Sequence, residues 1–222
     1  MSRREDAKAE RRHRIVTAAR DLIRETGDTG LSMRAIAARA RVSLSTPYNL
    51  FGSKRAIVLA VLEDIREFNE RFARLRSTDA IERIFQALSM SIRYYVEDPD
   101  FYRTLWTGVF VMSAASVRNA LAMPERDAFW LALVNAAAQE GALSPGIDTG
   151  LLLRNLDLTF GAVMLNWVLG ALSIEELEPA AALGYALALR GAAAPPWQSP
   201  LANRIAEQQD LLLALRRRAA AA

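Results

Sequence analysis

Ile15, Ala18, Ala19, Leu22 and Ile23 recur at intervals of three and four, with Arg14, Arg20, Asp21, Arg24 and Glu25 between them. That period predicts an amphipathic helix. Gly27 and Gly30 end it, and Ser32 is a good N-cap for a short second helix carrying Ile36, Ala37 and Ala40 on one side. A break at Arg41 and Val42 precedes Ser43, a further candidate N-cap, and a third helix from about Leu44 to Phe51. Gly52 and Ser53 then introduce a fourth helix from Lys54, with Ile57, Val58, Val61, Leu62, Ile65 and Phe68 as its apolar stripe. Two short helices joined by a tight turn, the second ending in an aromatic residue and flanked by basic ones, form a helix-turn-helix. A DNA major groove about 12 Å wide admits one helix, so the second can enter it while the first lies across the phosphates.

The remainder reads as helices punctuated by Pro and Gly, roughly 79–97, 100–119, 124–141, 149–172, 174–190 and 200–218, with no strand alternation. The expected fold is all-α with nine or ten helices. The helix over 149–172 is apolar on two sides: Leu152, Leu156, Phe160, Val163 and Trp167 form one stripe, Leu158, Leu165, Leu169 and Leu172 another. One side can pack on its own domain and the other on a second copy. The next helix, over 174–190, has small residues Ala181, Gly184, Ala188 and Gly191 at helical spacing, which allows another backbone close approach, and Pro179 predicts a kink or restart within it. Together the two helices suggest a four-helix bundle across the two-fold axis of a homodimer. A monomer with a well-filled core is the alternative.

Composition narrows the chemistry. The chain of 222 residues has no cysteine and one histidine, His13. That excludes a disulfide, a thiolate nucleophile and a histidine-rich metal cage, and no cofactor or metal is expected. Charge is divided: residues 1–55 hold thirteen Lys/Arg against six Asp/Glu, whereas residues 56–222 hold fifteen against nineteen. A small basic module joined to a larger, mildly acidic one suggests that the first meets a polyanion. The beginning of the chain lacks the apolar stretch of an export signal, and the longest uncharged run, 158–174, is short for a membrane span, so the expected compartment is the cytoplasm. Arg3, Arg4, Lys8, Arg11, Arg12, His13 and Arg14 read as a basic arm, residues 1–13, ahead of the first helix. It is expected to be unstructured without DNA, either reaching a neighbouring groove or serving as a solubilising tail.

Leu31-Ser-Met-Arg-Ala-Ile-Ala-Ala-Arg-Ala-Arg-Val-Ser43, then Leu44-Ser-Thr-Pro-Tyr-Asn-Leu-Phe-Gly-Ser-Lys54 and Arg55-Ala-Ile, resembles the DNA-binding signature of the TetR/AcrR family of bacterial transcriptional regulators. The resemblance runs from about Arg11 to Asp64. It implies that Tyr48 and Lys54 hold phosphates, that Leu44, Ser45, Thr46 and Asn49 face base edges, and that Arg34 touches the DNA backbone. Independent chemistry agrees: Lys54 begins a helix whose free N–H groups attract phosphate, Asn49 can pair bidentately with adenine, and Leu44 and Thr46 can press on a thymine methyl. The plainer alternatives are a partly buried core role for Tyr48, a solvated Asn49 and an ordinary surface charge at Lys54.

Two positions depart from the family pattern. The turn residue, commonly glycine, is Arg41; a left-handed backbone there costs about 1 to 2 kcal/mol, which a phosphate contact by Arg41 would offset. Pro47 stands where a large apolar residue is usual. With Ser43 as N-cap it would fall fourth in the helix and remove the first intrahelical donor, so the helix is expected to start one residue later or to carry a distorted first turn.

The resemblance implies a DNA-binding domain over 1–65 and a helical effector-binding and dimerisation domain over 66–222. For the second, a pocket near Trp106, Phe110, Phe129, Phe160, Met164 and Trp167 would take a largely apolar small molecule. The function expected is that of a transcriptional regulator, a repressor released from a palindromic operator by that effector. An enzyme is disfavoured because Asp98, Asp100, Asp148 and Asp157 lie near predicted helix ends and no nucleophile and base pair off. An effector-blind architectural DNA binder is the third class.

Overall fold

The computed structural model describes residues 3–62, 72, 79–110 and 124–221. Ile65 and Phe68 of the predicted fourth stripe, and the predicted helix over 100–119 beyond Phe110, lie outside these residues. The described residues form ten α-helices: α1 Arg3–Thr26, α2 Met33–Arg39, α3 Ser45–Phe51, α4 Lys54–Leu62, α5 Ala80–Glu97, α6 Pro99–Phe110, α7 Pro124–Gln139, α8 Thr149–Val168, α9 Ile174–Ala192 and α10 Pro195–Ala221. No strand occurs among them, only an isolated bridge between Leu143 and Ala193. No helix among the described residues is long and apolar enough to cross a membrane.

The chain divides into two compact units, one of residues 1–65 with 100–123, the other of 66–99 with 124–222. In the first, the three-and-four spacing of α1 buries Ile15, Ala18, Ala19 and Ile23 against Ile36 of α2, Ile57, Val58 and Val61 of α4, and Phe101 and Leu105 of α6. The unit is therefore discontinuous in sequence. The basic arm is not a separate element: α1 begins at Arg3, which corrects the expectation of an unstructured segment. Glu5 and Asp6 in its first turn complement the helix dipole, and no Gly, Pro or β-branched residue interrupts it before Ile15.

In the second unit α9 lies between α8 and α10 and also meets α5, while α7 packs on both α5 and α8. The α5 positions Ile81, Ile84, Phe85, Leu88 and Ile92 are buried at helical spacing. Ser173 and Glu176 close a capping box at the start of α9, and the helix continues through a buried Pro179 without restarting there. The firm cap and burial on both sides of the proline outweigh one lost backbone bond. Likewise α10 begins at Pro195 and runs through Pro200, so the expected start at 200 is corrected. A proline in the first turn removes a donor that would have had no helical partner. The predicted 149–172 helix ends at Val168 because Gly170, at φ +77°, closes a Schellman motif: its N–H donates to Trp167 and that of Ala171 to Asn166.

Leu152, Leu156, Phe160, Met164 and Trp167 of α8 are buried, whereas Leu151, Leu158, Leu165 and Leu169, spaced by seven, seven and four on the other side, are exposed. The small residues of α9 serve partly inside the same chain. Ala181 is fully buried, and Gly184 lies under Thr159 of α8.

Candidate nucleic-acid interface

Each helix of the helix-turn-helix is set by local chemistry. Ser32 caps α2, its hydroxyl accepting from the Ala35 N–H at 3.0 Å. At the other end the Arg41 N–H donates to Ala38 and the Val42 N–H to Ala37, a Schellman closure with arginine in the place glycine usually takes. Arg41 has φ +54° and is the one non-glycine residue with positive φ among those described. Arg41→Gly is accordingly expected to raise stability by about 1 kcal/mol, read as a higher denaturant midpoint with an unchanged slope. An unaltered or lowered midpoint would show that the arginine side chain repays its own backbone strain.

The third helix starts at Ser45, with Leu44 as a helical N-cap that makes no side-chain capping bond. Ser43 is not the cap. Its hydroxyl lies 3.0 Å from that of Ser45 and 2.8 Å from that of Thr46, while its carbonyl accepts from the Thr46 N–H. Pro47 thus falls third in the helix, where its missing donor would have had no intrahelical partner, and its ring is buried. Gly52, at φ +74°, turns the chain out of α3, and the Ser53 hydroxyl accepts from the Ala56 N–H at the start of α4.

What this leaves on the surface is a compact set of side chains. Arg34, Arg41, Leu44, Ser45, Tyr48, Asn49 and Lys54 are all exposed, and Thr46 is half-buried. Tyr48 is 51% accessible and Leu44 46%, so Tyr48 is not a core aromatic. The segment thus exposes an aromatic ring, a leucine, an amide and three cations, the kinds of group that can meet phosphates and base edges. A bidentate ion pair braces the motif from outside: Arg39 donates to the two carboxylate oxygens of Glu25 at 2.8 and 2.7 Å. Those bonds hold the Glu25 carboxyl below the usual carboxylate range and raise the Arg39 guanidinium.

The residues expected to line an effector pocket are distributed over both units. Trp106 and Phe110 stack on each other along α6 in the first, with ring centroids 5.4 Å apart. In the second, Phe129 stands edge-on to Trp130, and Tyr95 meets both Phe160 and Trp167 at 6.3 Å. Met164 and Trp167 are fully buried. Sequence reading missed a polar group in this interior. Arg126 of α7 reaches Asp157 of α8 at 3.4 Å and Asp127 at 3.3 Å, close to the buried Tyr185 of α9. Burial raises the Asp157 carboxyl, with the Arg126 charge opposing, and burial beside Asp157 drives the Tyr185 phenol up. Asp157, expected near a helix end, lies in the middle of α8 instead, and nothing in its spacing from Arg126 marks the pair, since they meet only through tertiary packing.

Residues 15–61 match the family described as bacterial regulatory proteins, tetR family. The match covers the helix-turn-helix and the helices around it, so this part of the chain is a TetR-type DNA-binding domain. Among curated relatives, the HTH-type transcriptional regulator UidR of Escherichia coli K12 is 27% identical over 157 residues, 68% of this chain and 79% of UidR. Two solved structures share the fold. FadR of Thermus thermophilus, a TetR-family repressor in complex with lauroyl-CoA, has a TM-score of 0.63 at 21% identity, over 83% of this chain and 97% of that one. Full-length TylP, a TetR regulator from Streptomyces fradiae, has a TM-score of 0.59 at 19% identity, over 91% and 97%.

Proposed function

We propose that this chain is a TetR-family repressor that reads a palindromic operator as a homodimer and leaves it when a largely apolar small molecule binds the second unit, residues 66–99 with 124–222. The observation that carries the DNA-reading part is the exposure of Leu44, Ser45, Tyr48 and Asn49 at the start of α3 and along it, in a segment that also exposes Arg34, Arg41 and Lys54. In this reading Tyr48, Lys54, Arg34 and Arg41 hold phosphates, while Leu44, Ser45, Thr46 and Asn49 meet bases. The small domain over 1–65 supplies the reader. Phe129, Phe160, Met164 and Trp167 of the second unit supply apolar surface for the effector, and the chain performs no catalysis. FadR was solved with lauroyl-CoA, a long acyl chain on a polar head, which is the kind of amphipathic molecule such a lining would accept. An effector that prefers the arrangement with misplaced reading helices weakens DNA binding by its differential affinity, typically about 1 to 3 kcal/mol.

Dimerisation is assigned to the faces of 149–172 and 174–190 that carry Leu151, Leu158, Leu165, Leu169 and Leu187, all exposed in the single chain. Two reading helices about one DNA turn apart then match a palindrome. Leu158→Asp combined with Leu165→Asp is expected to give a folded monomer by sedimentation, with operator affinity lowered more than about a hundredfold because the two half-sites no longer bind together. A dimer that persists in that variant would place the two-fold contact elsewhere.

A further inference from the structure

The seven-residue α3 is poorly supported by its own sequence. Helices of that length do not hold themselves in water. Leu44 offers no capping side chain, and Gly52 leads the chain straight out. The angle of α3 must therefore be fixed by other elements. Arg12, on the exposed side of α1, reaches its far end. Its Nη1 donates to the Leu50 carbonyl at 3.3 Å, and its guanidinium carbon stands 4.2 Å from the centroid of the Phe51 ring. Leu50 and Phe51 are the last two residues of α3, where carbonyls have no intrahelical donor and the helix end carries partial negative charge. A planar cation can serve a carbonyl, a dipole end and a ring face together; an ammonium serves the charge but not the plane.

We infer that Arg12 is a positioning residue for the DNA-reading helix, clamping the C-terminal end of α3 to α1 and so setting how Tyr48 and Asn49 meet DNA. The inference rests on the proposed reading of α3 as the helix that enters the groove. It assigns to Arg12 a role distinct from a phosphate contact by a basic arm. The bidentate Glu25–Arg39 pair ties α1 to α2 in the same manner, so α1 acts as the rack on which both helices of the motif are held.

The test uses the full chain and an operator selected by the wild-type protein from a random DNA library. Arg12→Ala, Arg12→Lys and, as control, Tyr48→Ala are compared for specific and non-specific binding over a salt series, and amide exchange is followed at Gly52, whose N–H closes the last turn on the Tyr48 carbonyl at 2.8 Å. Arg12→Ala is expected to lower specific affinity about tenfold, to leave non-specific affinity within about twofold and the salt slope unchanged, and to speed exchange at Gly52. Arg12→Lys falls between wild type and alanine. A salt slope reduced by about one in Arg12→Ala, with full affinity in Arg12→Lys, would make Arg12 a phosphate contact and overturn the clamp. Unchanged specific binding and exchange in Arg12→Ala, with binding lost in Tyr48→Ala, would remove the clamp alone. Full binding in all three variants would remove both the clamp and the reading on which it rests.

Discussion

Replacing Tyr48 or Lys54 by alanine is expected to weaken operator binding about tenfold for each copy of the site, and about a hundredfold for a symmetric dimer that presents the site twice. Hydrogen bonds to a charged phosphate are the stronger class, roughly 1.5 to 3 kcal/mol each, and neither side chain is needed to hold the fold. Tyr48 is half in water, and Lys54 is an exposed first residue of α4 beside the Ser53 cap. The thermal midpoints of both variants should therefore stay near that of the wild type. Removing Lys54 should also flatten the dependence of log affinity on log salt by about 0.9 per phosphate released. Fluorescence anisotropy at several salt concentrations reads both effects. Wild-type affinity in the two variants would show that the exposed face of α3 is not the reading surface.

Gly184→Ala should destabilise the second unit by about 1 to 3 kcal/mol, even though alanine is the better helix former by about 1 kcal/mol. A Cβ on Gly184 would lie 2.4 Å from the Thr159 Cγ2 across the α8–α9 contact. Thr159 cannot easily turn aside, because it is β-branched and its hydroxyl donates to the Asn155 carbonyl at 2.9 Å. The helices must separate or that bond must break. Thr159→Ala in the same chain should restore most of the loss, since it removes the opposing methyl. Gly191 gives the contrast: a Cβ there meets nothing within 4 Å, so Gly191→Ala should be neutral or stabilising by about 0.5 to 1 kcal/mol. Chemical denaturation of the three variants beside wild type decides the matter, and a Gly184→Ala protein as stable as wild type would mean that α8 and α9 do not meet at this closeness.

The helix-turn-helix was legible because its signals are local. Period, caps and the tight turn at Arg41 are all settled within a few residues, and the positive φ at Arg41 follows from the Schellman closure of α2. Pro47 was informative for the same reason: a proline near a helix start moves the start until its absent donor falls among those without a partner, and α3 begins at Ser45. Signals that compete were misread. The arginines of 3–14 suggested a free arm, but charge alone does not prevent helix formation when the intervening residues are Ala and Glu. Pro179 suggested a break that capping and burial override, and Pro200 a start that lies five residues inside α10. Long-range encounters left no trace in spacing. Arg12 meets Leu50 and Phe51, Arg126 meets Asp157, and the Trp197 indole donates to Asp79 at 3.1 Å, each joining segments far apart in the chain.

The central claim is that α3 reads DNA sequence, and the most direct measurement is binding of the purified protein to labelled DNA from immediately upstream of its own gene, against scrambled DNA, over a salt series. Sequence-dependent, salt-sensitive binding is expected, with a dimer covering two half-sites about one helical turn apart. Binding equally weak on both DNAs, and a random-library selection that enriches no sequence, would contradict it.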